Sequence, residues 1–210
     1  MSFKRFITQS ILFLALTFTG AVMAIEEPKY SVLEKAPPFE LRSYAPMILA
    51  EVQVEGDLDE ASGQGFRLIA AYIFGQNQVS EKIAMTTPVA VEEQPAKSAK
   101  IAMTTPVNIE SKAGQWVVSF VMPSEYTMET LPKPLNSKVQ IRQIPAVKRA
   151  VISFSGFYNS QKVAERVLEL EEWMKTHNLS ANGPSKFARY NPPWTLPFMR
   201  RNEIMIDVRD

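Results

Sequence analysis

Sliding the 210-residue chain against itself by 100 positions superposes two stretches with the same order of elements. Glu40-Leu41-Arg42 faces Gln140-Ile141-Arg142, Ala50 faces Ala150, Gly56 faces Gly156 and Leu68 faces Leu168. Each half reads strand, short proline-containing turn, strand, glycine, helix, then extended segments. In the second half the strands are Val139–Ile144 and Ala146–Phe154, split at Pro145, a residue that cannot donate to a ladder. Val163, Val167, Leu170 and Met174 then fall at helical spacing and predict a helix over Ser160–His177, with Ser160 as N-cap. The matching helix of the first half is Asp59–Phe74, carrying Phe66, Ile69, Ala70 and Ile73. Gly63 and Gly65 weaken it by about 1 kcal/mol each relative to alanine, so tertiary packing must hold it. The expectation is an α+β fold. Two duplicated βαββ halves form one distorted antiparallel barrel or sheet, with two main helices on the outside.

A second repeat lies inside the first half. Lys82–Val89 and Lys100–Val107 spell the same eight residues, KIAMTTPV. As chemistry the octapeptide is poor: one Lys, one Met and two Thr offer no general base and no carboxylate pair. As structure it alternates with period two, which predicts a strand with one greasier face. Pro88 places it at an edge or a strand end, and Glu92–Ala99 between the copies reads as a hairpin loop.

The first 24 residues read as a signal peptide rather than as part of the fold. Lys4 and Arg5 precede an uncharged apolar run from Phe6 to Val22, and Val22-Met23-Ala24 supplies the small residues a signal peptidase reads. The run is short for a membrane span. Cleavage after Ala24 would leave a single domain over 25–210, periplasmic or secreted, with no membrane span. It would also leave 21 basic against 22 acidic side chains, a balance with no electrostatic footprint for nucleic acid. The absence of cysteine excludes disulfides, thiolate metal sites and thioether-linked haem.

KIAMTTPV matches the KIAMT-x-PV signature of the SOUL/haem-binding protein family. Trp116–Leu131, Pro132–Arg142, Ser155-Gly156, Ala188–Trp194 and Phe198–Glu203 also resemble its bacterial branch, in the right order over residues 28–210. The resemblance implies a pseudo-twofold duplicated βαββ fold. It also implies non-covalent binding of haem or a related tetrapyrrole in a hydrophobic groove beside the first helix. In eukaryotic members that helix carries an Arg and a Lys thought to meet the propionates and a Met packing on the ring. Their places here are Gly63, Ala71 and Phe66. The histidine proposed as an axial ligand in one branch has no counterpart in the N-terminal region.

The residues expected to bind ligand are Phe66, Ile69 and Ile73 as an apolar wall, Met85 on the first octapeptide, and Arg200 and Arg201 as carboxylate clamps. Glycines 63 and 65 would open space beside that wall. Each residue also has a structural reading. The three apolar residues are core by periodicity, Met85 and Met103 are gap-fillers, and the arginines pair with Glu203 or cap the Asn191–Trp194 loop. His177 is the one imidazole; its place at a helix C-terminus favours capping over iron ligation. Lys82 and Lys100 are the nearest cations to the presumed groove. The rigid corner Tyr190–Trp194 is expected to close the barrel. No catalytic or metal site is expected. The reading is a non-catalytic binder of haem or another amphipathic small molecule. The alternative is a module of effector-binding type for a non-haem ligand or partner, and a tetrapyrrole-modifying enzyme ranks third.

Overall fold

The computed structural model describes residues 25–79, 98–112 and 114–209. The first octapeptide, Met85 within it, and the expected signal peptide lie outside the described residues. The strands are β1 (Tyr30–Ala36), β2 (Phe39–Tyr44), β3 (Met47–Val54), β4 (Asn77–Gln78), β5 (Val107–Lys112), β6 (Gln115–Val121), β7 (Lys133–Pro134), β8 (Gln140–Ile144), β9 (Val147–Phe154), β10 (Lys186–Arg189) and β11 (Asn202–Val208). Two helices, α1 (Leu58–Ile73) and α2 (Ser160–Thr176), complete the framework.

Nine strands form one sheet in the order β1-β2-β9-β11-β10-β5-β6-β3-β8, and β4 pairs with β7 apart from it. Leaving β1 aside, the order is a palindrome of equivalent strands about the β10–β5 pair: β2 answers β8, β9 answers β3, and β11 answers β6. The offset of 100 is therefore a pseudo-twofold axis. Each half also lends its first strand to the other, since Arg42 of β2 lies opposite Arg149 of β9 and Leu49 of β3 opposite Arg142 of β8. Neither half could complete its ladder alone.

The sheet is open. Among the described residues β1 and β8 pair on one side only, so the barrel alternative is corrected to a sheet. Both edges carry Lys, Glu, Gln or Arg side chains, and charge along an edge discourages further pairing. The repeated glycines serve the same purpose in both halves. Gly56 and Gly156 adopt positive φ, 111° and 97°, where the chain turns toward its helix. Asp57 then caps α1 in a reciprocal box with Glu60. Asn159, not Ser160, caps α2, because its carboxamide is the group that reaches the Lys162 amide.

α1 lies on β3 and β6, and α2 on β9 and β11. Ile69, Tyr72 and Ile73 of α1 and Leu170 and Trp173 of α2 enter one core with Val52, Phe120, Ile152 and Ile204. Gly65 permits this approach: a Cβ there would lie 2.4 Å from the Val118 Cβ. The space expected beside Gly65 is thus filled by the sheet. Gly65→Ala should lower stability by about 1–3 kcal/mol despite alanine's better helix propensity. Thermal denaturation checks this, and Val118→Ala in the same chain should recover part of the loss.

The second octapeptide is not the expected strand. From Lys100 to Pro106 it runs as an extended strap, and only Val107 enters β5. Ile101 is buried and its amide donates to the Ile73 carbonyl, 2.8 Å. Thr104 bridges Glu26, and its hydroxyl donates to the Val121 carbonyl. Committing a side chain and amides to these partners removes them from any ladder, so the strap ties α1, β6 and the N-terminal segment together.

Candidate functional site

On α1 the three expected wall residues separate. Ile69 and Ile73 point into the core, at 0% and 1% exposed, whereas Phe66 is 37% exposed with its ring tilted against Phe120 at 5.7 Å. Beside Phe66, the place where the resemblance puts a basic residue is Gly63. A Cβ there would lie 3.5 Å from the Arg67 guanidinium, so Arg67 reaches back one turn to cover it. The i, i+4 spacing allows this, and it brings a cation to the site from a different position. Toward the other end of α1, Lys100 lies exposed next to Ile101, whose amide is bonded at the helix C-terminus.

One turn before Phe66, buried Ser62 accepts from Arg189 of β10, which also donates to the Tyr158 hydroxyl. The Arg189 guanidinium lies 5.2 Å from the Tyr158 ring centre. Burial and the neighbouring Asp59 carboxylate raise the Tyr158 phenol, only partly offset by Arg189, so it stays neutral at physiological pH. These three residues link α1 to the segment preceding α2. Arg189 is the donor of this cluster, and the Asp59 carboxylate lies beside the Tyr158 hydroxyl.

The arginine pair does not converge on that surface. Arg200 donates to the carbonyls of Thr195, 2.7 Å, and Pro193, 2.5 Å, bracing their loop. Arg201 grips Glu27 with both terminal nitrogens, 3.2 and 2.7 Å, and lies 3.4 Å over the Tyr190 ring. Its Nε stands 3.3 Å from Glu203 without hydrogen-bond alignment. His177 caps α2; its Nδ1 meets the Trp173 carbonyl at 2.8 Å and its Nε2 meets Glu34 of β1 at 3.2 Å. That edge of the sheet is remote from β3 and β6, where α1 lies. Met103 is half-buried against the core. The Tyr190–Trp194 corner closes no barrel, since Trp194 is 81% exposed.

The sheet face away from the helices holds a buried ionic network. Arg42 binds Glu203 through two nitrogens at 3.0 Å each, and Tyr190 and Ser153 donate to the same carboxylate at 2.6 and 3.1 Å. Beside it Arg149 and Lys186 hold Asp207 at 2.8 and 2.9 Å. Burial alone would raise both carboxyls. The bonds and charge of Arg42 hold Glu203 below its ordinary value instead, as Arg149 and Lys186 do for Asp207. Depressed folded values stabilise the protein at neutral pH, and that contribution is lost as pH falls below about 4 and through the folded values. The midpoint of thermal unfolding should drop between pH 6 and pH 3. Glu203→Gln combined with Asp207→Asn should flatten that dependence, and an unchanged wild-type midpoint would contradict it.

A cavity of about 320 Å³ lies elsewhere. Its walls include Glu26, Pro46, Met47, Thr104, Met122 and Tyr126. This volume stands at the low end for small-molecule pockets. Sequence periodicity could not find it, because it forms where the strap, the N-terminal segment and the β2–β3 turn meet.

Known proteins share this fold. The C-terminal domain of EcmrR superposes with a TM-score of 0.55 over 86% of this chain and 98% of that domain, at 10% identity. A hydrolase from Listeria innocua gives 0.53 over 81% of this chain and 91% of that one, at 14% identity. At such identities these likenesses show the fold alone. Heme-binding protein 2 of Homo sapiens is 30% identical over 193 residues, covering 89% of this chain and 88% of that protein. Heme-binding protein 1 of Xenopus laevis is 24% identical, covering 79% and 81%. With the SOUL heme-binding protein model matching residues 25–207, nearly all of the described fold, this chain belongs to the SOUL heme-binding protein family.

Proposed function

We propose that the protein is a non-catalytic binder of haem or a related flat, anionic tetrapyrrole, held non-covalently beside α1. The observation that carries this reading is Phe66. It is an aromatic ring kept partly outside a helix stripe that is otherwise core, with the Arg67 guanidinium folded back over Gly63 beside it. A tetrapyrrole needs an apolar face to lie on and cations for its carboxylates; Phe66 offers the first and Arg67 the second. Ser62 and Tyr158 accept from Arg189, so that cluster braces α1 and leaves Arg67 as the exposed cation beside the ring. Bound haem would supply the iron chemistry; these residues orient it. A signal peptide cut after Ala24 would place this activity in the periplasm or outside the cell.

Titration of the protein with haemin should give a saturable shift of the Soret band at one equivalent. Arg67→Ala should weaken binding about tenfold, the worth of one charge-assisted contact. A shift that rises linearly without saturation would contradict the reading. A second reading, a smaller non-haem ligand of effector-binding type, is favoured by the 320 Å³ cavity, with its methionines and carboxylates. It predicts that ligand binding responds to Met47→Ala and not to Phe66→Ala.

A further inference from the structure

We propose that the loop carrying Trp194, Leu196, Phe198 and Met199, together with Phe157, docks the protein on an anionic phospholipid surface. Trp194 is 81%, Phe198 73%, Phe157 66% and Met199 62% exposed. So large an apolar display on two adjoining segments calls for a partner.

The display is built, not slack. Thr195 turns back on Pro192 at 3.1 Å, and Met199 and Arg200 bond to the Leu196 and Pro197 carbonyls at 2.9 and 3.1 Å. Gly156 donates to the Pro197 carbonyl at 2.8 Å, and Asn202 donates to the Gly156 carbonyl at 3.1 Å, fastening the Phe157 segment to the loop. The fold therefore holds these side chains toward solvent against their own tendency to collapse.

Charge identifies the occupant. Arg200 lies 5.1 Å over the Phe157 ring, and Lys162 donates to the Phe157 and Ser155 carbonyls at 3.1 and 3.3 Å. Both cations are anchored by main-chain carbonyls and a ring, which leaves their charge uncancelled. No acidic residue occurs in 155–164 or 190–202; Arg201 there is paired with Glu27, so Lys162 and Arg200 supply the positive charge. An exposed front of Trp, Phe, Leu and Met with Arg200 and Lys162 beside it matches a bilayer boundary: rings at headgroup level, cations on phosphates. A protein partner would have to supply a deep apolar groove with an acidic rim.

Vesicles of phosphatidylglycerol and phosphatidylethanolamine, with brominated acyl chains, test this with the whole protein. Trp194 is the most exposed of the three tryptophans; Trp173 is 8% exposed. Its emission should shift to the blue and be quenched, less so on phosphatidylcholine. Trp194→Ser with Phe198→Ser should weaken partitioning about tenfold or more while leaving the melting temperature unchanged. Trp194→Phe should keep binding but lose most of the quenching, so an N-terminal apolar segment cannot mimic the result. Equal binding by wild type and the double serine variant, or unquenched Trp194 in bound protein, would overturn the proposal. So would a wild-type dimer that this variant dissolves and that ignores vesicles. Phe66→Ala should leave vesicle binding intact, which keeps this outcome separate from that of haem binding.

Discussion

Arg42→Ala is expected to cost the fold about 3–5 kcal/mol, the usual penalty for leaving one member of a buried ion pair uncompensated. Glu203 is 1% exposed and Arg42 3%. Without the guanidinium, the carboxylate retains only the Tyr190 and Ser153 hydroxyls and the misaligned Arg201 nitrogen. It must then take up a proton or stay charged in an apolar setting, and either choice is unfavourable at neutral pH. The loss should appear as a lower denaturant midpoint with an unchanged slope. Removing the carboxylate as well, in Arg42→Met with Glu203→Leu, should recover much of it. The network would then be a device that fixes β2 of one half against β11 of the other across β9, not a net source of stability. A loss under about 1 kcal/mol for Arg42→Ala would contradict this account.

Ile69→Ala should cost about 2–5 kcal/mol, the range for truncating a fully buried side chain. Ile69 is wholly buried between α1 and the sheet, close to where Gly65 admits Val118 and leaves no slack for the helix to settle. The folded fraction should bind haemin as the wild type does, because Ile69 has no surface to offer. Phe66→Ala should show the reverse pattern, with small loss of stability and large loss of affinity. Chemical denaturation and haemin titration on the same samples separate the two. Were Ile69→Ala to weaken binding more than Phe66→Ala, the groove would have to run under the helix.

Much of the fold was legible because it rests on short-range pattern. Helical spacing from Val163 to Met174 located α2. The offset of 100 anticipated the palindromic strand order through nothing more than paired strands and a shared glycine. The strap misled because period two describes an extended chain whether or not it finds a ladder, and Thr104 and Ile101 found other partners. Phe66, Ile69 and Ile73 share one apolar stripe; which of them stays outside depends on how closely Gly65 seats the helix, a tertiary fact. Arg67 was within reach, since its spacing of four from Gly63 puts both on one helix face. Arg42 and Glu203 stand 161 residues apart, a separation no local pattern spans. The Trp194 corner reads as core by composition, and only its position beyond the sheet shows that it faces outward.

The most direct measurement is the dissociation constant for haemin of the wild type, Phe66→Ala and His177→Ala, read from the Soret band on matched folded protein. Phe66 is 37% exposed, so covering it is worth about 0.5–1 kcal/mol and ring stacking adds about 0.5–1.5 kcal/mol; Phe66→Ala should therefore bind roughly 5- to 50-fold more weakly. His177→Ala should match the wild type in both affinity and spectrum. Equal affinity for wild type and Phe66→Ala, or a Soret shift abolished by His177→Ala, would move the site away from α1 and contradict the account.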